Sequence, residues 1–187
     1  MLTVRFECRV LHECRVPVYN TRMSAANRIK KTNAMRILED ASIPYEVLLY
    51  DDDGEHKLEL GAAVRIAEKL HLDADAVFKT IVMRTEAKEI CVFCVPARLE
   101  VNAKKGRIAC GAKEIASVKP DELNALTGYV RGGCSPLGMK RRFRTFIDES
   151  AQLFGTVYVS AGVRGVQLAL DPQHLAAAAN AVFCDLT

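Results

Sequence analysis

The sequence predicts a mixed fold of the α/β or α+β class, built around one mixed β-sheet. Segments with helical periodicity and β-rich segments are interleaved along the chain, without strict alternation and without an internal repeat. The chain has 187 residues, of which 50% are hydrophobic and 26% are charged. This length fits one domain, and this composition supplies a sizeable core and excludes disorder as the default state.

Five helices are predicted from apolar periodicity and from the residues at their ends. In the first, apolar residues recur at i, i+3, i+4 and i+7 from Ala34 onward, and Thr32 or Asn33 can cap the first turn. Two later helices begin with proline at the first helical position, at Pro120 and Pro172. The predicted helices span residues 33–41, 59–70, 102–109, 120–127 and 172–180.

Runs rich in β-branched and aromatic residues predict the strands. The polar residues 85–88 separate two such runs and are typical of a hairpin turn, whereas the glycines and proline of residues 131–138 predict a loop. The predicted strands span residues 45–50, 77–84, 89–95, 113–117, 144–147, 156–160 and 166–170.

The first 30 residues differ from the rest in charge and pattern. Seven basic and two acidic side chains fall in residues 1–31, which leaves nineteen basic against twenty-one acidic side chains in the remainder. We interpret residues 1–30 as an extension outside the fold, with Met23 as an alternative start, and residues 31–187 as the domain. A mitochondrial presequence is the alternative for the extension, but Glu7 and Glu13 argue against it.

Cysteine content and hydropathy indicate the compartment. The seven cysteines are an odd number without an apolar signal-peptide core before them, which favours reduced thiols in the cytoplasm. The apolar stretch 175–184 is interrupted by Asn180 and is too short to span a membrane. Because the body of the chain carries slightly more acidic than basic side chains, contact with a nucleic acid requires a local basic patch.

Lys79 is the first candidate for chemistry. Side chains alternate along a strand, so Lys79 shares a face with Val77, Ile81 and Met83 and lies among apolar side chains. An ammonium group in such surroundings needs a carbonyl, a carboxylate or a substrate as partner. The alternative is a structural lysine whose long stem reaches the solvent at the end of the strand.

A glycine loop followed by basic residues is the second candidate. Gly132 and Gly133 allow close approach of a ligand and present backbone amides that suit an oxyanion or phosphate, although a simple tight turn explains the same residues. The densest basic cluster of the domain follows the loop and suits a phosphodiester backbone or, alternatively, a solvated surface. This basic cluster consists of Lys140, Arg141, Arg142 and Arg144.

The cysteines provide weaker candidates. Cys91 and Cys94 have CxxC spacing, but residues three apart on a strand point to opposite faces, so we expect core thiols and no metal site. Cys134 lies in the glycine loop and could be a nucleophile, yet no histidine lies near it in the sequence.

Several segments together resemble one family. They are Lys31-Thr32-Asn33-Ala34, Val77-Phe78-Lys79-Thr80, the run from Gly128 to Gly138, Ile147-Asp148, and the run from Tyr158 to Gly165. In order and spacing they resemble the YbaK family of aminoacyl-tRNA deacylases, also called the prolyl-tRNA synthetase associated domain family. The resemblance covers residues 31–184 and is closest to the branch that acts on Cys-tRNA(Pro).

The resemblance implies a fold, a function, a site and partners. The implied fold is a single mixed, partly barrel-like β-sheet flanked by helices. The resemblance also implies hydrolytic clearance of mischarged tRNA(Pro) without a cofactor, with prolyl-tRNA synthetase as a transient partner. It makes Lys79 and Gly132 the catalytic residues. Residues implied to bind the substrate are Tyr50, Thr80, Gly133, Ser135 and Gln167. Gln167 departs from the family, because the best-known relative has an acidic residue at this position.

The implied mechanism gives a role to the apolar lysine. An ammonium group with backbone amides from Gly132 and Gly133 would stabilise the negative charge that develops on an ester carbonyl oxygen. In the branch that this chain resembles, the thiol of the substrate cysteine attacks its own ester. Alternatives are an Ala-tRNA(Pro) deacylase of the sister branch, a non-catalytic module that binds tRNA or synthetase, and a hydrolase that uses Cys134.

Overall fold

The structure, a computed structural model, describes residues 29–52 and 61–187 of the chain. The proposed extension and the alternative start at Met23 lie outside these residues, apart from positions 29 and 30, and stay predictions. Residues 31–187 form one compact unit.

Helices lie where the sequence predicts them, with ends shifted by at most one residue except at the start of the second helix, which begins at Ala62. Thr32 caps the first helix by accepting a hydrogen bond from the Met35 amide (3.3 Å), and Gly128 ends the fourth at φ +85°. Positions 59 and 60 of the predicted second helix lie outside the described residues. No helix in the described ranges is long and apolar enough to cross a membrane. The helices are α1 (Asn33–Asp40), α2 (Ala62–Lys69), α3 (Ala103–Cys110), α4 (Pro120–Thr127) and α5 (Pro172–Ala179).

The strands confirm the mixed α/β class but divide between two sheets. One sheet has the order β4-β2-β3-β5-β8, with both antiparallel and parallel pairs, and the other is antiparallel with the order β1-β7-β6. The strands are β1 (Glu46–Leu49), β2 (Phe78–Thr85), β3 (Ile90–Pro96), β4 (Ile115–Ser117), β5 (Arg144–Asp148), β6 (Val157–Ser160), β7 (Val166–Leu170) and β8 (Ala181–Cys184).

The expectation of a single sheet is therefore corrected. Strand patterns show which segments are extended but not which segments pair, and here the β6–β7 hairpin takes β1 as its third strand. An isolated parallel bridge between Val77 and Tyr158 connects the two sheets, and the Tyr158 amide donates to the Ala76 carbonyl oxygen at 3.0 Å.

Two elements in the C-terminal half of the chain are not predicted by the sequence patterns. The strand β8 follows α5 after a single residue, Asn180, whose left-handed φ of +49° ends the helix. Its apolar sequence continues the alanine-rich helix and carries no turn of several polar residues to separate the two. Residues Glu149–Leu153 form a 3₁₀-helix capped by Asp148, whose carboxylate also accepts a hydrogen bond from the Leu186 amide at 3.0 Å.

The core lies on both faces of β3. Cys91, Phe93 and Val95 belong to one buried cluster, while Val92 belongs to another on the opposite face. Cys91 and Cys94 are both fully buried, which confirms that the CxxC spacing reflects core thiols.

One edge of β2 is only partly covered, and this opening determines the position of the site. The strand β4 pairs with Met83–Thr85 alone, and the Val118 amide adds one hydrogen bond to the Val82 carbonyl oxygen at 3.0 Å. Residues 79–81 have no strand on this side within the described part of the chain. A sheet edge with unpaired backbone groups is thus available to a ligand.

Candidate active site

A cavity of about 500 Å³ opens beside the uncovered edge of β2. The walls are formed by helix α2, the adjoining ends of β6 and β7, the start of α4, and Arg131, Gly132 and Cys134 of the glycine loop. Phe78, Cys134 and Gln167 are buried at its base, whereas Lys69 and Arg131 are exposed. The size is that of pockets that bind small molecules or the end of a larger substrate.

Five of the residues implied by the resemblance meet in this cavity. They come from four separate places in the chain: the residue after β1, two adjacent positions in β2, the glycine loop and β7. These residues are Tyr50, Lys79, Thr80, Gly132 and Gln167. Since they are up to 117 positions apart in the sequence, only the fold brings them together.

Lys79 is half-buried and paired. Its side chain is 22% exposed, and its Nζ lies 2.6 Å from Oε1 of Glu100, whose own side chain is 63% exposed. Ion pairs with a well-hydrated carboxylate are weak, so this contact positions the ammonium group but can be exchanged for another partner. A substrate carbonyl oxygen in the cavity can therefore take the place of Glu100.

Two buried oxygen atoms in the cavity lack hydrogen-bond partners. Oγ1 of Thr80 and Oε1 of Gln167 are inaccessible to solvent, and no group in the described structure forms a hydrogen bond with either. The side chain across from Thr80 in β3 is Cys94, whose thiol is a weak partner. A buried polar atom without a partner costs about 1–3 kcal/mol. Thr80 and Gln167 line the cavity through other atoms, so these two oxygens belong to its wall and are not open to a ligand in this conformation.

The backbone of Thr80 adds a donor and an acceptor. The Ala97 amide donates to the Val77 carbonyl oxygen (2.7 Å) and the Thr85 amide to the Glu89 carbonyl oxygen (2.9 Å), so the odd-numbered residues of β2 are bonded to β3. Hydrogen bonding alternates between the two sides of an antiparallel strand. The N–H and C=O of Thr80 therefore point to the uncovered edge.

The glycine loop is held rigidly at the cavity. The Arg164 guanidinium donates two hydrogen bonds to the Arg131 carbonyl oxygen (3.0 and 2.8 Å), and the Tyr129 hydroxyl donates to the Leu137 carbonyl oxygen (2.6 Å). Burial raises the pKa of Tyr129 to about 12, so this donor keeps its proton. Between these two braces, Gly132 adopts φ +83°, a conformation that glycine tolerates and side chains disfavour.

Two further predicted residues support the loop instead of lining the cavity. The Gly133 amide donates to the Val130 carbonyl oxygen (3.0 Å), so it is not available to an oxyanion, and this part of the prediction is not supported. A Cβ at Gly133 would lie 3.1 Å from the backbone nitrogen of Arg164, which explains the need for glycine. Ser135 is fully buried, and its Oγ accepts a hydrogen bond from the Leu137 amide at 3.3 Å.

The predicted basic cluster does not line the cavity. The Lys140 ammonium donates to the Asn124 carbonyl oxygen (2.9 Å), and the Arg144 guanidinium donates to the Cys110 carbonyl oxygen (2.9 Å) and lies 5.4 Å from the Phe146 ring centroid. Arg141 and Arg142 are exposed. A role of this cluster in tRNA binding stays a prediction.

Cys134 lines the cavity but is poorly suited to act as a nucleophile. The residue is 8% exposed, and burial raises the pKa of its thiol to about 12. Because the thiolate is the nucleophilic form, a thiol that stays protonated at neutral pH argues against a cysteine hydrolase.

The cavity also contains basic residues that the sequence patterns did not single out. Arg131 and Arg164 lie in segments that carry the family resemblance, and this was the available signal. Arg65 and Lys69 occupy the polar side of α2, where charged residues are ordinary. Among the described residues, the cavity lining holds five basic and three acidic side chains.

The fold and the cavity define the class of this protein. A model of the aminoacyl-tRNA editing domain matches residues 59–178, and the chain belongs to this family. The match confirms the resemblance noted in the sequence.

Comparisons with individual proteins agree with this family. EbsC of Enterococcus faecalis, provisionally named a Cys-tRNA(Pro)/Cys-tRNA(Cys) deacylase, is 36% identical over 158 residues, which cover 84% of this chain and 94% of EbsC. A proline–tRNA ligase of Brachyspira hyodysenteriae is 33% identical over 72 residues, which cover 38% of this chain and 12% of the ligase. A crystal structure provisionally described as a trans-editing enzyme for prolyl-tRNA synthetase superposes with TM-score 0.71 at 20% identity, covering 83% of this chain and 94% of that chain.

Proposed function

We propose that this protein is a trans-editing deacylase that clears cysteine from mischarged tRNA(Pro) in the cytoplasm. The observation that carries the proposal is the meeting of Lys79, Thr80, Gly132 and Gln167 in one cavity, at an edge of β2 that is not covered by another strand in the described part of the chain. The 36% identity to EbsC, with its name as a Cys-tRNA(Pro)/Cys-tRNA(Cys) deacylase, supports cysteine as the amino acid. Prolyl-tRNA synthetase, which makes the error, is the proposed transient partner.

The chemistry assigned to the site is stabilisation of an oxyanion. As the ester carbonyl is attacked, negative charge develops on its oxygen, and donors that already point to this position lower the barrier. Lys79 supplies a charge and Gly132 supplies a backbone amide. Tyr50, Gln167 and the main-chain N–H and C=O of Thr80 contact the aminoacyl group and the terminal ribose.

The attacking group belongs to the substrate. The sulfur of the esterified cysteine bonds to its own carbonyl carbon, the ester C–O bond breaks, and the thiol proton ends on the 3′ oxygen of the tRNA. The product is a cyclic thioester that water then opens to cysteine. Intramolecular attack of this kind gains greatly from orientation, so the protein requires no nucleophile of its own.

A turnover experiment separates this enzyme from a binding module. With Cys-tRNA(Pro) in large molar excess over the protein, we expect several ester bonds to be cleaved per protein molecule, measured as loss of acid-precipitable labelled cysteine. A protein that binds the tRNA stoichiometrically and leaves the ester intact would instead be the non-catalytic module.

A further inference from the structure

The mouth of the cavity carries an excess of positive charge. Four basic side chains line it in addition to Lys79, from α2 and from the loops before Gly132 and before β7. We refer to them as the basic rim: Arg65, Lys69, Arg131 and Arg164. Three acidic side chains line the same cavity. Glu100 is paired with Lys79, which leaves Asp51 and Asp52 to offset the four basic side chains.

We propose that the basic rim, and not the cluster at residues 140–144, binds the phosphates of the 3′ end of the tRNA. This inference rests on the proposed function, because the aminoacyl group is placed at the base of the cavity. The phosphates on the 5′ side of the nucleotide that carries the ester then leave the cavity past the rim. Basic side chains at such a position neutralise phosphate charge and hold the strand in register.

The structure also makes the alternative cluster less suitable. Arg144 lies beside Cys91 in the register of the sheet, while Lys79 lies beside Val95. Cys91 and Val95 are four positions apart in β3, which corresponds to roughly 13 Å along the strand. Lys140 and Arg144 donate to main-chain carbonyl oxygens, as Lys69 and Arg164 of the rim also do, so the distance from Lys79 is what distinguishes the two sets.

Two members of the rim are suitable for substitution. Arg65 is in the middle of α2, where alanine is the best helix former, and Arg131 is exposed. Arg164 is left unchanged because its guanidinium holds the glycine loop. The test variant is therefore R65A/R131A. K104A/K113A is the matched control, because it removes two charges from exposed positions outside the cavity.

Binding of uncharged tRNA(Pro) over a range of salt concentrations is the first readout. Each phosphate contact to a single strand contributes about 0.7 to the slope of log affinity against log salt, so R65A/R131A should lower the slope by roughly 1.4. K104A/K113A should leave the slope at the wild-type value. An unchanged slope in R65A/R131A together with a reduced slope in R141A/R142A would overturn the inference.

Catalysis provides the second readout and separates this inference from the proposed function. The ratio of the cleavage rates on Cys-tRNA(Pro) and on 3′-cysteinyl adenosine, which has no phosphate, should fall in R65A/R131A and stay constant in the control. An unchanged ratio contradicts the role of the rim. Absence of cleavage of both esters by the wild-type protein contradicts the proposed function instead, while the binding result still decides on the rim.

Discussion

Replacing Lys79 with alanine should lower the rate of Cys-tRNA(Pro) deacylation by about 10²–10³, the loss typical of removing one preorganised oxyanion donor. The ammonium group is half-buried at the cavity, and its ion-pair partner among the described residues is the exposed carboxylate of Glu100. It can therefore exchange this partner for the substrate oxygen. The measurement is the single-turnover rate at saturating protein, which reports the chemical step without the binding step.

Three further variants test whether this loss is specific. Lys79→Met keeps the apolar stem and should have the wild-type melting temperature with the same loss of activity as the alanine variant. Lys79→Arg keeps the charge and should recover part of the rate. Lys88→Ala, in the exposed turn between β2 and β3, is the control and should behave as wild type. A Lys79→Met variant that retains the wild-type rate would show that this lysine is structural.

Replacing Gly132 with alanine should affect both stability and catalysis. A side chain at φ +83° costs of order 1–2 kcal/mol, and relief of this strain would rotate the backbone amide away from the substrate. Because a displacement of about 1 Å in a positioning group can cost 10²-fold in rate, we expect activity to fall by roughly that factor. The measurements are the free energy of unfolding in urea and the single-turnover rate.

Gly111→Ala provides the matched control for this strain. Gly111 has φ +67°, ends α3 outside the cavity, and has no atom within 4 Å of the position of an added Cβ. It should lose a similar amount of stability and keep its activity. If both variants lose activity equally, the effect of Gly132→Ala reflects general destabilisation, and the role assigned to its amide is wrong.

Much of the fold was accessible from the sequence because local signals agree. The proline, acidic and glycine residues around α4 define its ends, and apolar periodicity defines α1, so propensity and packing lead to the same result. Strand partners cannot be predicted from the local sequence. The paired residues of β1 and β7, for example Leu48 and Gln167, are about 120 positions apart in the chain. β8 was missed because its apolar residues continue those of α5.

Some residues of the candidate site can be predicted from residue type and from the family resemblance. Lys79 and Gly132 were selected from residue type and resemblance, and the fold places both at the same cavity. The sequence does not show that the Gly133 amide forms a hydrogen bond within the loop, which leaves Gly132 as the loop donor at the cavity. The basic rim was missed since Arg65 and Lys69 have the ordinary appearance of a polar helix face, whereas residues 140–144 are conspicuous in the sequence.

The measurement that tests the central claim most directly is a comparison of Cys-, Ser- and Ala-tRNA(Pro) as substrates of the wild-type protein. Size selection alone gives about 1–3 kcal/mol of discrimination, and serine differs from cysteine by one atom of the attacking group. We therefore expect the cysteinyl ester to be cleaved at least about 10³-fold faster than the seryl ester, which exceeds the roughly 10–200-fold that size selection in the pocket supplies. Equal cleavage of the cysteinyl and seryl esters would contradict attack by the substrate thiol, and faster cleavage of the alanyl ester would assign the protein to the alanine-specific branch of the family.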